Sequence, residues 1–327
     1  MRNRRIFITG GTGFFGCWLL ESFLAANRAF HLQAQAAVLT RSSQNFRRRC
    51  PHLAEDPAIE LVEGDIRNFA LPAGEFPFAI HAATESVQKP SPRAAEEMYS
   101  TIVDGTGRCL EFAETHGTQK FLLTSSGAVY GPRPSTMTHI PEHYSGAPSH
   151  LQPGSEYGEG KRVAELLCGL TARRTGMECK IARCFAFVGP HLPLDAHFAI
   201  GNFIRDALQG GPIMIQGDGT PMRSYLYAAD LAVWLWTMLF RAPSLRAFNV
   251  GSANDLSIRS VAGEVAAAIR PEVEIRVARE AVPGAPLHRY VPDVQAADRE
   301  LGLREGISLR EAIERTAAWR RVQDPSF

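Results

Sequence analysis

"RIFITGGTGFFGCWLLESFLAAN", residues 5–27, opens on an apolar run and then places four glycines within seven positions, at Gly10, Gly11, Gly13 and Gly16. The segment "RIFITG" has the continuously apolar character of a buried strand. From Gly16 onward Trp18, Leu19, Leu20, Phe23 and Leu24 recur at helical spacing. Gly10, Gly13 and Gly16 therefore form a GxxGxxG pattern between a strand and a helix. Each has a mechanical use there: the first permits a tight turn, the second lets backbone N–H groups approach a pyrophosphate, and the third lets the helix pack closely on the strand. The helix N-terminus adds partial positive charge. The stretch predicts a dinucleotide-binding turn.

Working outward, strand-like and helix-like segments alternate. "AAVLTR", "IELVEGD", "FAIHAA" and "KFLLTSS" read as strands, helices are expected over 95–116 and 157–175, and "CKIARCFAFVG" closes the series. Apolar strands alternating with helices predict an α/β fold, a Rossmann-like doubly wound parallel sheet covered on both faces. Beyond Pro190 the pattern loosens into helices at 198–209, 229–240, 257–269 and 308–320, separated by Gly/Pro-rich stretches such as "QGGPIMIQGDGTP" and "AVPGAP". The expectation is a dinucleotide-binding domain over 1–189, with a return contribution near 225–252. A smaller C-terminal α/β substrate-binding lobe over 190–327 would leave a cleft beside it.

Composition narrows the function classes. The 327 residues carry 35 Lys plus Arg against 34 Asp plus Glu, a formal charge of +1, so no global basic field points to nucleic acid. The longest apolar run, "LAVWLWTMLF" at 231–240, is too short to span a bilayer and reads as a buried helix, with Trp234 and Trp236 in the core. The basic start, Met1 to Arg5, is followed by too short an apolar stretch to be a signal peptide. Six scattered cysteines, Cys17, Cys50, Cys109, Cys168, Cys179 and Cys184, show no metal-like spacing and predict buried thiols in a reducing, cytoplasmic setting. The irregular histidines of "RPSTMTHIPEHYSGAPSHLQPGS" predict no metal site, and the Arg cluster "FRRRC" at 46–50 reads as a solvated loop or helix face.

The end of the second strand sets the choice between NAD and NADP. An acidic residue there would bond the ribose 2′-hydroxyl; this chain has Thr40-Arg41-Ser42, which leans toward NADP because Arg41 suits a 2′-phosphate. Asp65, ending the third strand, is placed to take the adenine amino group, or alternatively to cap a helix. "SEYGEGKRVAE" sets Tyr157 four residues before Lys161, on one helix face. A cation beside a phenol favours phenolate, which makes Tyr157 a candidate general acid/base. Ser125 and Ser126 end a strand about thirty residues upstream, where a hydroxyl can meet the same oxygen.

Taken together, "ITGGTGFFG", "EGDIR", "IHAA", "LLTSSGAVYG", "YGEGKRVAE", "RCFAFVGP", "GDGTPMRSYLYAADLA" and "FNVGSANDLSI" resemble the extended short-chain dehydrogenase/reductases of the nucleotide-sugar epimerase/dehydratase family, over nearly the whole chain. The resemblance implies Ser126 as catalytic hydroxyl, Tyr157 as acid/base and Lys161 as the residue that holds the cofactor ribose and lowers the tyrosine pKa. It implies a dinucleotide held by Gly10, Gly13, Phe14, Phe15 and Gly16 in the turn, by Arg41, Asp65 and Ile66, and by Ala82, Ala83 and Thr84. Asn202, Arg223 and Arg289 match positions that contact the nucleotide sugar, the two arginines its diphosphate. A homodimer through two helices of the sheet domain, 157–175 among the candidates, is also implied.

Departures sort the members. Family dehydratases carry an Asp-Glu pair directly after the catalytic hydroxyl, and decarboxylases a Glu two residues after it; here those positions are Gly127 and Ala128. Small residues at this place resemble C4-epimerases and 4-ketoreductases. Ile102 and Ala186 replace asparagines that are usual in the family. The expectation is an enzyme that oxidises a nucleotide sugar transiently at C4. The alternatives are an NADPH-dependent 4-keto reductase or, in another class, a cofactor-sensing protein, which the intact Ser126, Tyr157 and Lys161 disfavour.

Overall fold

A computed structural model describes residues 1–84, 93–196 and 198–324. In chain order its elements begin β1 (Arg5–Thr9), α1 (Phe14–Ala29), β2 (Gln35–Thr40), α2 (Ser43–Arg49), α3 (Pro51–Ala54), β3 (Ile59–Glu63), β4 (Phe78–His81) and α4 (Ala94–Thr115). There follow β5 (Lys120–Ser126), a 3₁₀ turn (Gly127–Tyr130), α5 (Glu156–Thr175), β6 (Glu178–Cys184), β7 (Phe187–Val188), α6 (Ala199–Gln209) and β8 (Ile213–Ile215). Next are β9 (Met222–Arg223), β10 (Leu226–Tyr227), α7 (Ala228–Arg241), β11 (Ala247–Val250), β12 (Leu256–Ser257) and α8 (Ile258–Ile269). The chain ends with β13 (Ile275–Val277), β14 (Arg289–Tyr290), α9 (Gln295–Leu301) and α10 (Leu309–Gln323).

Two compact units result. The first comprises 1–132, 145–184 and 232–248; the second comprises 133–144, 185–231 and 249–327. The first is built on a seven-stranded sheet of order β11-β6-β5-β4-β1-β2-β3. Every pairing from β6 across to β3 is parallel, with Ile8 opposite Val38 on one side and Ile80 on the other. Strand order reverses between β1 and β4, and a doubly wound sheet opens a crevice at the carboxyl ends of its strands at such a switch. Thr9, His81 and Ser126 are those carboxyl ends.

The central strands β1, β4 and β5 are largely apolar because helices cover both faces. Ile6, Ile8, Ala36, Val38, Ile80 and Leu122 are all fully buried. Phe7, Phe69, Phe76 and Phe112 make an aromatic nucleus, Phe7 and Phe112 having ring centroids 4.1 Å apart. Trp234 is buried as expected, while Trp236 is half-buried, its indole N–H donating to Ser22 Oγ at 2.9 Å.

The second unit uses smaller sheets. β12 pairs antiparallel and β14 parallel with β9, β13 pairs parallel with β8, and β10 with β7. α6, α8 and α10 pack around them through residues such as Phe203, Ile204, Val261, Val265 and Ile313. The segment 133–144 belongs to this unit although it follows β5 in the chain. Ile140 N–H donates to Val291 O, and Asp293 N–H donates to Ile140 O, both at 2.9 Å. The Asn249 amide also donates to Ile140 O, at 2.8 Å. No helix among the described residues is long and apolar enough to cross a membrane. All six cysteines are buried and none is in a disulfide.

Candidate active site

The glycine turn is built as its spacing requires. Gly10 has φ +68°, and a Cβ there would stand 2.5 Å from the Ala82 carbonyl carbon, so the ends of β1 and β4 touch backbone to backbone. At Gly16 a Cβ would meet the Gly11 carbonyl carbon at 2.2 Å, which only the bare backbone allows. α1 starts at Phe14 with Gly13 as N-cap, no side chain capping it and no acidic residue in its first turn. Nothing acidic there offsets the positive end of the helix, which fits a dinucleotide's phosphates. Phe14 and Phe15 follow as neighbouring rings with centroids 5.8 Å apart.

A buried relay ties this turn to β4 and α4. Ala83 N–H donates to Thr9 Oγ1 at 3.3 Å, and the Thr9 hydroxyl lies 2.7 Å from His81 Nδ1. The Nε2 side then donates to Thr106 Oγ1 at 3.1 Å, and Thr106 donates to Ile102 O at 2.6 Å. Bonding logic thus assigns a neutral His81 with its proton on Nε2. Burial, helped by the charge of Lys161, lowers its pKa to about 3. His81 holds Thr9, Ala82 and Ala83 in place, a role that the quoted "IHAA" motif did not reveal.

At the adenosine end, Ile66 is buried beneath Gly105, where a Cβ would press on its side chain at 3.0 Å. Asp65 takes both the backbone N–H and the guanidinium of Arg67, Nε at 2.7 Å, and these hydrogen bonds chiefly hold its carboxyl below the usual range. Arg41 is exposed and acts electrostatically on Asp65. Helix α2, which begins after the capping Ser42, carries a residue the sequence reading passed over: Arg49 donates to the Thr12 carbonyl of the glycine turn. The cluster read as a solvated face therefore has one member on the turn itself.

The catalytic candidates converge. Ser126 ends β5, is 6% exposed, and its Oγ caps the following 3₁₀ turn by accepting from Ala128 N–H at 3.1 Å. Tyr157 and Lys161 lie one turn apart on α5, the Lys161 Nζ 5.8 Å from the Tyr157 ring centroid. Lys161 is 2% exposed and donates to the Thr124 carbonyl at 2.9 Å; burial lowers its pKa to about 8. One expectation is reversed. Burial pushes the Tyr157 phenol above its ordinary pKa, outweighing hydrogen bonding from Ser126 and, less strongly, Thr84, and Lys161 is not what moves it. The Lys161 ammonium is instead turned to the Thr124 carbonyl.

Glu165, one turn past Lys161, was not singled out from the sequence. Its carboxylate accepts from Ser125 Oγ at 2.5 Å and from Arg183 Nε and Nη2 at 3.0 and 2.7 Å. Arg183 in turn lies over the Tyr130 ring at 4.8 Å. The network joins β5, β6 and α5 directly behind the Ser126–Tyr157–Lys161 group.

In the second unit, Asn202 sits half-buried on α6, its Oδ1 accepting from Arg205 at 3.4 Å. The β9–β14 register sets Arg223 opposite Tyr290, with the guanidinium 5.8 Å from that ring, and sets Arg289 opposite Met222. Paired residues share a face of a sheet, so the two arginines leave the strand pair on alternate faces. Arg289 is bonded to Asp255 at 2.6 Å.

With this geometry in hand, known proteins were compared. Residues 6–251 match the model of the NAD dependent epimerase/dehydratase family. The chain belongs to that family. Among curated relatives of this epimerase/dehydratase chain, UDP-glucuronic acid decarboxylase 6 of Arabidopsis thaliana is 31% identical over 95% of the chain and 87% of that protein. Among solved structures, the UDP-N-acetylglucosamine 4-epimerase of Methanobrevibacter ruminantium superposes with a TM-score of 0.84 at 18% identity, covering 99% and 100% of the two chains. A dTDP-glucose 4,6-dehydratase from Streptomyces venezuelae gives 0.83 at 24%, with the same coverage. These last two establish the shared fold. The family relationship and the residues together make this chain an NAD-dependent enzyme of nucleotide-sugar chemistry.

Proposed function

We propose that this chain is a nucleotide-sugar C4-epimerase that works by transient oxidation to a 4-keto sugar. One observation carries the reading: Tyr157 is hydrogen-bonded to Ser126 at the end of β5, and the two residues after Ser126 are Gly127 and Ala128. The set can move one proton to and from a sugar hydroxyl, and no carboxylate follows Ser126 to drive loss of water or of CO₂. Tyr157 takes the C4 hydroxyl proton and returns it, Ser126 hydrogen-bonds the same oxygen, and Lys161 fixes the turn of α5 beneath them. The dinucleotide supplies the hydride acceptor and, when oxidised, a positive charge that favours the phenolate. Gly10, Gly13, Gly16, Phe14, Phe15, Ile66, Ala82, Ala83 and Thr84 would hold it, with Asp65 toward the adenosine. Asn202, Arg223 and Arg289 would hold the nucleotide sugar.

A second reading is an NADPH-dependent 4-keto reductase, and Arg41 is what favours it: a guanidinium at the end of β2 suits a 2′-phosphate, and Arg49 adds positive charge nearby at the turn. The curated relatives' printed activity, decarboxylation of UDP-glucuronic acid, makes that sugar the first substrate to test. Incubating the protein with UDP-glucuronic acid, UDP-glucose and UDP-N-acetylglucosamine, without added reductant, separates the cases by NMR. A C4 epimer supports the proposal; UDP-xylose would replace it with decarboxylation. Reaction only of a 4-keto sugar, with stoichiometric NADPH consumption, would replace it with reduction.

A homodimer through α4 and α5 is part of the proposal. Leu166 and Leu170 on α5 are 56% and 50% exposed and Tyr99 on α4 is 38% exposed, an apolar stripe suited to a second copy. The buried thiols, none of them in a disulfide, support a reducing, cytoplasmic setting.

A further inference from the structure

Cys17 and Cys50 stand 33 positions apart and have no metal-like spacing in the sequence, yet the fold brings them together in the first unit. Their Sγ atoms lie within 4.8 Å of each other, and both residues are 1% exposed. Cys17 follows Gly16 on α1, its N–H donating to Gly13 O at 2.9 Å, so one sulfur is carried by the first turn after the glycines. Cys50 joins the end of α2 to the start of α3. One turn further along α1, Glu21 meets His52 Nε2 at 2.7 Å, a second link between the same two segments.

The surroundings of the pair select a ligand. Two adjoining thiols are soft donors, which favour soft cations over magnesium or calcium. The hydrogen bond to Cys50, together with burial, holds the Cys17 thiol well above its ordinary pKa, and a coordinated cation displaces such a proton outright. Charge sets the valence. Two thiolates with a monovalent cation carry one net negative charge. Arg49, next to Cys50 in the chain, brings one guanidinium to this place, donating to the Thr12 carbonyl and hydrogen-bonding the Cys17 sulfur. A divalent cation would instead leave a net positive charge in a buried place. The thiols of Cys168 and Cys179 are hydrogen-bonded too, but their charged neighbour is the Glu165 carboxylate, which would add a third negative charge to two thiolates.

We propose that Cys17 and Cys50 form a site for a soft monovalent cation, copper(I), held between two thiolates with the Arg49 guanidinium balancing their charge. Binding releases two thiol protons and changes no oxidation state, so it needs no further reactant. The cation pins α1, which starts at the glycine turn, to the junction of α2 and α3. The site is independent of the nucleotide-sugar reading.

The test is anaerobic titration of the full, reduced chain with copper(I) against a colorimetric copper(I) chelator, for the parent and for Cys17→Ser, Cys50→Ser, Arg49→Gln and Cys168→Ala. The parent should retain one equivalent. C17S and C50S should each weaken binding by about 100-fold or more, since loss even of an outer partner costs about 10- to 100-fold. R49Q, which keeps both sulfurs, should cost about tenfold, and C168A nothing. Copper(I) should also raise the thermal midpoint of the parent and leave those of C17S and C50S unmoved. Where a cysteine variant does not fold, X-ray absorption of the copper-loaded parent reads the ligands directly, with two sulfurs expected, and R49Q locates them. No equivalent retained by the parent, undiminished retention in C17S and C50S, fewer than two sulfur ligands, or a loss in C168A instead overturns the inference. Zinc retained more tightly than copper(I) overturns the choice of cation.

Discussion

The Glu165 carboxylate grips the Arg183 guanidinium with two bonds, at 3.0 and 2.7 Å, in a place where the two side chains are only 13% and 17% exposed. Because Ser125 also donates to Glu165, the strand that carries Ser126 and the helix that carries Tyr157 and Lys161 are fixed to each other through this pair. Removing one partner leaves the other buried and uncompensated. Glu165→Gln should therefore cost about 3–5 kcal/mol in urea denaturation. The double variant Glu165→Gln, Arg183→Met should recover much of it; a double-variant loss equal to the sum of the losses in Glu165→Gln and Arg183→Met alone would show that the pair is not coupled.

Tyr157→Phe removes the only group assigned to carry the sugar proton and leaves the fold and the dinucleotide turn untouched. Turnover should fall by about 10²- to 10⁴-fold. Dinucleotide affinity should stay within a factor of about three, which distinguishes a lost acid/base from a damaged site.

His81 gives the acid limb of stability. Its pKa of about 3 in the fold lies below the ordinary value of 6.5, so the unfolded chain binds the extra proton more readily between those values. The stability it confers is intact above pH 6.5 and is lost as pH falls toward 3, amounting to about 2 kcal/mol by pH 5. His81→Gln should be less stable than the parent at pH 7 and lose less on acidification to pH 5. Parallel pH curves for the two proteins would refute the buried neutral imidazole.

Lys161 behaves in the same sense at the other end of the scale. Folding lowers its pKa from 10.5 to about 8, so the unfolded chain holds the proton better in that interval and stability attributable to this group rises with pH from 8 to 10.5. Lys161→Met removes the cost of burying the charge. It should be the more stable protein at pH 7, by up to about 2–3 kcal/mol, with the advantage shrinking as pH passes 9. Its turnover of a nucleotide sugar should nonetheless collapse.

Gly10→Ala forces a side chain against the Ala82 carbonyl carbon, 2.5 Å away, in a backbone conformation with φ +68°. A neighbouring backbone cannot yield as a flexible side chain would. The variant should lose about 1–3 kcal/mol of stability and bind NAD at least tenfold more weakly, whereas Gly107→Ala, in the interior of α4 with open space around it, should leave NAD affinity unchanged and add about 0.5–1 kcal/mol of stability.

Much of this protein is written locally. The glycine turn, the strand-helix alternation and the Tyr157–Lys161 spacing involve residues within a few positions of one another, where backbone sterics and helical period act directly. Those features led from residues 5–27 to a doubly wound sheet, and to Ser126, Tyr157 and Lys161 as candidates at the carboxyl ends of its strands. The direction of the Tyr157 pKa was not legible, because it depends on how much water the folded chain removes from the phenol rather than on which residue stands four places away.

The tertiary structure alone decided the rest. The Thr9–His81–Thr106 relay and the Ser125–Glu165–Arg183 clasp join residues from 18 to 72 positions apart. Such contacts carry no period and no spacing in the sequence. They exist because sheet order and loop anchoring bring polar groups into places poor in water, where each must find a partner or a ligand.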